Sequence, residues 1–276
     1  MEKLRASDGI ELCVESHGRG PTILFSCGFS TTRENFRPQV EPLVAAGFRV
    51  VLWDYRGHGD SDAPESPDAY SFDQVLDDLG RVLDACSPDA PAVLAGFSFG
   101  GAASLHFTLR HPDRVRALLL LDTGPGFKNP EAQERWFAQV ERIAQNVEQK
   151  GLASFVTSRA AATAIGRRPE LPDAQRAARA IAAMQPHGVA NFGRRVAGPV
   201  PACIDELANI AVPALVLVGE EDEAYLRAAD VMAARLPNAK KVVIPNGGHV
   251  TTIEEPTAVN AAILTFLRQL GAGPRV

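Results

Sequence analysis

Seven short apolar runs are spaced along the chain, with longer stretches of mixed polarity between them. They are IELCVES from Ile10, TILFS from Thr22, RVVLW from Arg49, AVLAG from Ala92, RALLLLD from Arg116, ALVLVG from Ala214 and KKVVIP from Lys240. From Thr22 onward most are continuous blocks rather than alternating ones. Continuous blocks suit strands buried on both faces, as in a parallel sheet covered by helices. The stretches near 34–46, 72–86, 98–110, 223–236 and 256–269 carry helical spacing. Strand alternating with helix predicts an α/β fold built on a doubly wound open sheet.

One region breaks this rhythm. From about Gly124 to about Asp205 the pattern is helical, rich in alanine, arginine and glutamine, with no convincing strand. Gly124-Pro125-Gly126 opens it and GPVP at 198–201 lies near its end, and both read as linkers. It is too long for a loop and is expected to be a lid. The predicted organisation is a core of 1–123 with 206–276, and a helical cap of 124–205.

The run AVLAG leads into GFSFG, a G-x-S-x-G pattern centred on Ser98, and AASLHFTLR follows with helical spacing. A tight strand-to-helix turn forces the serine backbone into a strained conformation, and Gly96 and Gly100 keep its neighbours small. The turn exposes the hydroxyl and aims the next helix N-terminus, with its free N–H groups, at the reacting atom. A nucleophilic serine needs a base, and the base needs a carboxylate.

In open α/β sheets such groups gather at the carboxyl ends of strands. ALVLVGEEDEAY ends a strand with Glu220, Glu221, Asp222 and Glu223, and VVIPNGGHV follows the last strand with His249. The order is Ser98, acid, His249. Asp222 is the favoured acid, and Asp122, at the end of RALLLLD, is its rival. Glu220 and Glu221 read as loop charges, and Glu223 as a helix-start carboxylate. The other five histidines, His17, His58, His106, His111 and His187, read as structural.

The 276 residues are 46% apolar, enough for a substantial core. The net charge of −5, with no basic cluster, argues against a nucleic-acid or membrane partner. No apolar stretch reaches the ~18 residues of a membrane span. The N-terminus is charged from its second residue and does not read as a secretory signal. Cys13, Cys27, Cys86 and Cys203 are scattered without a CxxC, so neither a metal cluster nor a disulfide framework is expected. A cytoplasmic protein with free thiols, no cofactor and no metal is the expectation.

Four pieces match a known pattern together: CGFS after the first buried strand, DYRGHGDSDAP after the next, the GFSFGG corner, and VPALVLVGEED…GGHV near the end. Over nearly its whole length the chain resembles the α/β-hydrolase superfamily, and most of all its cap-bearing esterases, enol-lactone hydrolases and carbon–carbon bond hydrolases. The resemblance implies a mostly parallel central sheet flanked by helices, with the helical cap inserted after strand six. It also implies that Ser98 attacks a carbonyl carbon, that His249 takes and returns the proton, and that Asp222 holds the imidazole tautomer. The backbone N–H groups of Phe29 and Phe99 would form the oxyanion hole.

Many relatives carry a histidine before the oxyanion glycine, where this chain has Cys27, read as a small buried residue. Asp54, Arg56 and His58 are assigned to shaping the edge of the site. A serine at the corner, where haloalkane dehalogenases and epoxide hydrolases use aspartate, disfavours both activities.

Phe29, Trp136, Phe137, Phe155 and Phe192 are expected to line an apolar pocket. Arg194 and Arg195 read as a solvated pair rather than as ligands of a substrate carboxylate. The expected function is a serine hydrolase cleaving a carboxylic ester or lactone of a small, mainly apolar molecule through an acyl-enzyme. A carbon–carbon hydrolase or lyase is the alternative, and a non-catalytic ligand receptor a further one.

Overall fold

The computed structural model describes residues 2–271. Its centre is an eight-stranded sheet of β1 (Glu2–Arg5), β2 (Glu11–His17), β3 (Thr22–Ser26), β4 (Arg49–Trp53), β5 (Ala92–Phe97), β6 (Val115–Leu121), β7 (Ala214–Gly219) and β8 (Ala239–Ile244). The strands lie in the order 1-2-4-3-5-6-7-8, with β3 to β8 parallel and β2 antiparallel to both its neighbours, β1 and β4. The central strands β3, β5 and β7 are buried at every position, as their continuous apolar sequences require. β1 is not among the seven apolar runs. It is an edge strand of sequence EKLR that is exposed at three of its four positions and pairs Leu4 opposite Leu12.

Three helices come before β6: α1 (Arg37–Ala45), α2 (Phe72–Cys86) and α3 (Phe99–Arg110). α2 shows how local sequence sets such an element. The Ser71 hydroxyl accepts from the Gln74 N–H at its N-terminus, a cap worth about 1 kcal/mol. Val75, Leu79, Val82, Leu83 and Cys86 fall on one face and are buried.

Between β6 and β7 run α4 (Pro130–Lys150), α5 (Leu152–Val156), α6 (Ala162–Ile165), α7 (Pro172–Ala182) and α8 (Pro186–Phe192), with no strand among them. α4 starts where Asn129 caps the Ala132 N–H and Pro130 takes the first turn, and it stops at Gly151, whose φ is +76°. α4 packs on α8, and α5 on α7. The two ends of the segment are joined where the Cys203 N–H donates to the Pro125 carbonyl at 2.8 Å. The chain then completes the layers with α9 (Glu223–Arg235), α10 (Thr251–Glu254) and α11 (Pro256–Gln269). Among the described residues no helix is long and apolar enough to cross a membrane. All four cysteines are free and buried.

Candidate active site

β5 ends at Phe97 and α3 begins at Phe99, so Ser98 is the whole corner. Its φ of +51° and ψ of −118° are unusual for a residue with a Cβ. Three contacts hold it there: its N–H donates to the Leu121 carbonyl at 3.0 Å, and its carbonyl accepts from the Gly101 N–H at 3.0 Å and from the Thr123 hydroxyl. The crowding explains the glycines. A Cβ at Gly96 would lie 2.2 Å from the Gly100 carbonyl oxygen, and one at Gly100 would lie 2.1 Å from that of Ser26.

Ser98, Asp222 and His249, far apart in sequence, meet at the carboxyl ends of the strands. His249 Nε2 lies 3.1 Å from Ser98 Oγ, and its Nδ1 lies 2.8 Å from Asp222 Oδ2. With Nδ1 protonated, the ring donates to Asp222 and leaves Nε2 free to accept from the serine hydroxyl. Asp222 stands just before α9, its carbonyl accepting from the N–H groups of Tyr225 and Leu226.

Asp122 does not reach the imidazole. One carboxylate oxygen accepts from the Gly219 N–H at 2.9 Å, and the other accepts from the N–H and hydroxyl of Thr251. Burial pushes its carboxyl well above the usual carboxylate range, against the pull of those donors. The neighbouring acids have other partners. Glu220 accepts from the Asn246 N–H, Glu221 pairs with Arg167, and Glu223 opens α9 exposed.

The N–H groups of Phe29 and Phe99 have no acceptor among the described residues, and both residues line the cavity with Ser98. The loop carrying Phe29 is braced from the 54–61 segment. Ser30 N–H donates to His58 Nε2 at 3.2 Å, while His58 Nδ1 faces the Arg56 carbonyl at 3.3 Å. Burial drives His58 down to about 4, so the ring is neutral and can accept. Arg33 N–H donates to Asp54 Oδ1 at 2.8 Å, joining the same two segments again. Cys27 is fully buried, its thiol turned toward the Thr31 carbonyl, and burial raises it far above an ordinary thiol. Cys13, Asp54 and Asp60 bring three possible metal donors together, but the Arg33 guanidinium is bonded to both carboxylates.

The cavity above Ser98 has a volume of about 640 Å³. Phe29 and Trp136 line it, with the Trp136 indole N–H donating to the Ala197 carbonyl at 2.8 Å. Three expected lining residues do not. Phe155 is buried between α5 and its neighbours inside the inserted segment. Phe192 is buried against His58, Tyr55 and Phe99, its ring centroid 4.5 Å from that of His58. Phe137 points the other way, 42% exposed, into an outer groove beside Pro199 and Pro201. In each case the ring follows what its own helix packs against: the interior of the segment for Phe155, the core for Phe192 and solvent for Phe137.

Tyr225, Phe127, Ile143, Gln139 and Arg135 line the cavity instead. Arg194 is engaged by Glu141 and Glu148, and Arg195 faces Asp68 at 3.5 Å. Glu254, which no motif marks, accepts from the Gly248 and Val250 N–H groups on either side of His249.

The family model for the alpha/beta hydrolase fold matches residues 21–256. Among solved structures, a thermophilic esterase from Thermogutta terrifontis is 29% identical with a TM-score of 0.82, covering 98% of each chain. The enol-lactonase from Burkholderia xenovorans LB400 is 25% identical with a TM-score of 0.78, covering 97% of this chain and 100% of that one. Epoxide hydrolase 2 of Siraitia grosvenorii is 38% identical over 125 residues, which are 44% of this chain and 39% of that protein. A profile match across most of the sequence, on a mostly parallel sheet with a serine corner after β5, places the chain in the α/β-hydrolase fold family.

Proposed function

We propose that the protein is a serine hydrolase that cleaves a small carboxylic ester or lactone through an acyl-enzyme. The observation that carries this reading is the contact chain Asp222–His249–Ser98, at 2.8 and 3.1 Å, opening into the cavity of about 640 Å³. Ser98 Oγ attacks the carbonyl carbon as its proton passes to His249 Nε2. The carbonyl oxygen becomes the oxyanion and accepts from the Phe29 and Phe99 N–H groups, each donor being worth about 10²–10³ in rate. The imidazolium, steadied by Asp222, protonates the leaving alkoxide. Water, giving a proton to His249, then attacks the acyl carbon, and the acyl–Oγ bond breaks as His249 returns that proton to Ser98, releasing the acid.

The helices between Gly124 and Asp205 act as the cap in this reading, covering the acyl chain with Trp136 and Ile143. Arg135 is the one cation among the described lining residues, which favours an acyl group ending in a carboxylate. The partial match to an epoxide hydrolase does not bring that activity here, because an epoxide opened by a corner carboxylate needs aspartate where this chain has Ser98.

The test is a panel of p-nitrophenyl esters, lactones and ring-fission diketones, run beside fluorophosphonate labelling on wild type and Ser98→Ala. Labelling at Ser98 and ester or lactone turnover are expected, both lost in a folded Ser98→Ala. Near-wild-type turnover by that variant would overturn the assignment. Labelling without ester or lactone turnover would move the reading to a carbon–carbon hydrolase, a lyase or a receptor.

A further inference from the structure

The two hydrogen bonds of His249 run through Nδ1 and Nε2, both in the plane of the ring. They fix where the two nitrogens sit. They do not stop the ring from tipping about the line that joins them, because that rotation breaks neither bond. Something must press on the face of the imidazole.

Tyr225 does so. It lies in the first turn of α9, its N–H donating to the Asp222 carbonyl at 2.9 Å. The helix that presents the acid therefore presents this ring as well. Its centroid is 4.7 Å from that of His249, with 25° between the planes. Phe97, buried at the end of β5, adds a second aromatic contact at 5.1 Å and 47°. Tyr225 also lines the cavity beside Ser98, and burial pushes its phenol up to about 12, so it stays neutral under the neighbouring imidazole.

An aromatic face is the negative end of the ring quadrupole and attracts a cation placed over it. His249 becomes that cation only while it holds the serine proton. The stack is therefore stronger in the proton-transfer state than in the resting one, which is the condition for it to speed the reaction.

We propose that Tyr225 is a positioning residue for His249, holding the imidazole plane and stabilising its imidazolium form through ring stacking. This rests on the serine hydrolase reading. The other titratable or charged groups around His249 are accounted for. Asp222 holds Nδ1, Glu254 is bonded to the backbone on both sides of the histidine, and Asp122 to Thr251. Arg167 is taken up by Glu254 and Glu221, and Arg135 belongs to the inserted helix α4.

The experiment measures kcat, KM and the pH profile of kcat/KM on a neutral p-nitrophenyl ester for wild type, Tyr225→Phe, Tyr225→Leu and Tyr225→Met. Tyr225→Phe keeps the ring and should stay within about threefold of wild type, with its acid limb unmoved. Tyr225→Leu and Tyr225→Met should each lose roughly tenfold in kcat with KM little changed, the rate equivalent of one cation–π contact. Losing the stack disfavours the protonated ring, so their acid limb should move to lower pH, by about half a unit or more. Fluorophosphonate titration counts competent sites, so misfolding shows as fewer sites rather than slower ones.

An unchanged acid limb in the folded aliphatic variants, or one moved to higher pH, would overturn the proposal. So would a Tyr225→Phe as impaired as Tyr225→Leu, which would give the role to the hydroxyl. A wild type that is neither labelled nor active would instead remove the hydrolase reading, and this proposal with it.

Discussion

Asp122 accepts hydrogen bonds from both the N–H and the hydroxyl of Thr251, two residues past His249, while its other oxygen holds Gly219, three residues before Asp222. The carboxylate at the end of β6 thus joins the loop of Asp222 to the loop of His249 without touching either side chain. The two aspartates should separate cleanly on mutation. Asp222→Asn presents an amide to His249 Nδ1 and favours the wrong tautomer, and kcat should fall about 10³–10⁴-fold. Asp122→Asn puts an amide among three donors and should cost about 1–3 kcal/mol of stability, with less than about tenfold loss in kcat. Steady-state kinetics beside urea unfolding checks both, and a reversed order would hand the acid role to Asp122.

His58 makes the loop that carries Phe29 sensitive to acid. Its folded value of about 4 lies below the 6.5 of an unfolded histidine, so between these values the unfolded chain binds the extra proton. Stability from this group is full above pH 6.5 and is lost as the pH falls toward 4. The fully buried ring sets that loss on the order of 3 kcal/mol. Protonation also removes the lone pair that accepts from Ser30 N–H, one residue from Phe29. Urea midpoints measured from pH 7.5 down to 4.5 should fall more steeply in wild type than in His58→Gln. Parallel slopes would show that the ring does not titrate in this window.

The buried strands were legible in the sequence because each interior strand must be apolar on both faces, a demand that few other structures make. β1 was not, because EKLR at an exposed edge needs only Leu4 inside. The serine could be singled out because the close backbone at the corner requires glycines, which leave a spaced pattern, and the histidine because it follows the last strand. The acid was legible only as a choice between Asp122 and Asp222, since both end parallel strands and only the loop paths decide which carboxylate reaches the ring. The pocket wall was the least legible part. Phe155, Phe192 and Phe137 differ in facing the segment's interior, the core and solvent, and composition carries no information about facing. Tyr225 and Glu254 belong to no motif, and they act through the loops they lie beside.

Gly100 should be the least tolerant position of the corner. A methyl group there would meet the Ser26 carbonyl oxygen at 2.1 Å, which is backbone of a fully buried central strand and has nowhere to move. Gly100→Ala should destabilise by about 3 kcal/mol or more, at the upper end of overpacking costs. Fluorophosphonate labelling should fall with it, because β3 and α3 must separate and the corner opens. A soluble, fully labelled Gly100→Ala would mean that the corner yields where the close contact says it should not.

Arg135 offers the last test, of what the cavity accepts. Its side chain has only a loose contact with Glu131 at 3.7 Å, whereas Arg194 is held by two glutamates. A cation with no close partner, on a cavity wall that also carries the negative Asp222, is free to meet an anionic group of the substrate. Arg135 is 71% exposed, and an exposed charge pair of this kind is worth at most about 1 kcal/mol, or up to roughly fivefold in kcat/KM. Wild type should therefore favour the p-nitrophenyl monoester of a dicarboxylic acid over a neutral ester of equal length. Arg135→Gln should lose that preference while keeping its rate on the neutral ester. The advantage should also shrink as salt is raised from 10 to 500 mM, because the pair is screened. An equal fall on both esters would make Arg135 a packing residue of α4 instead.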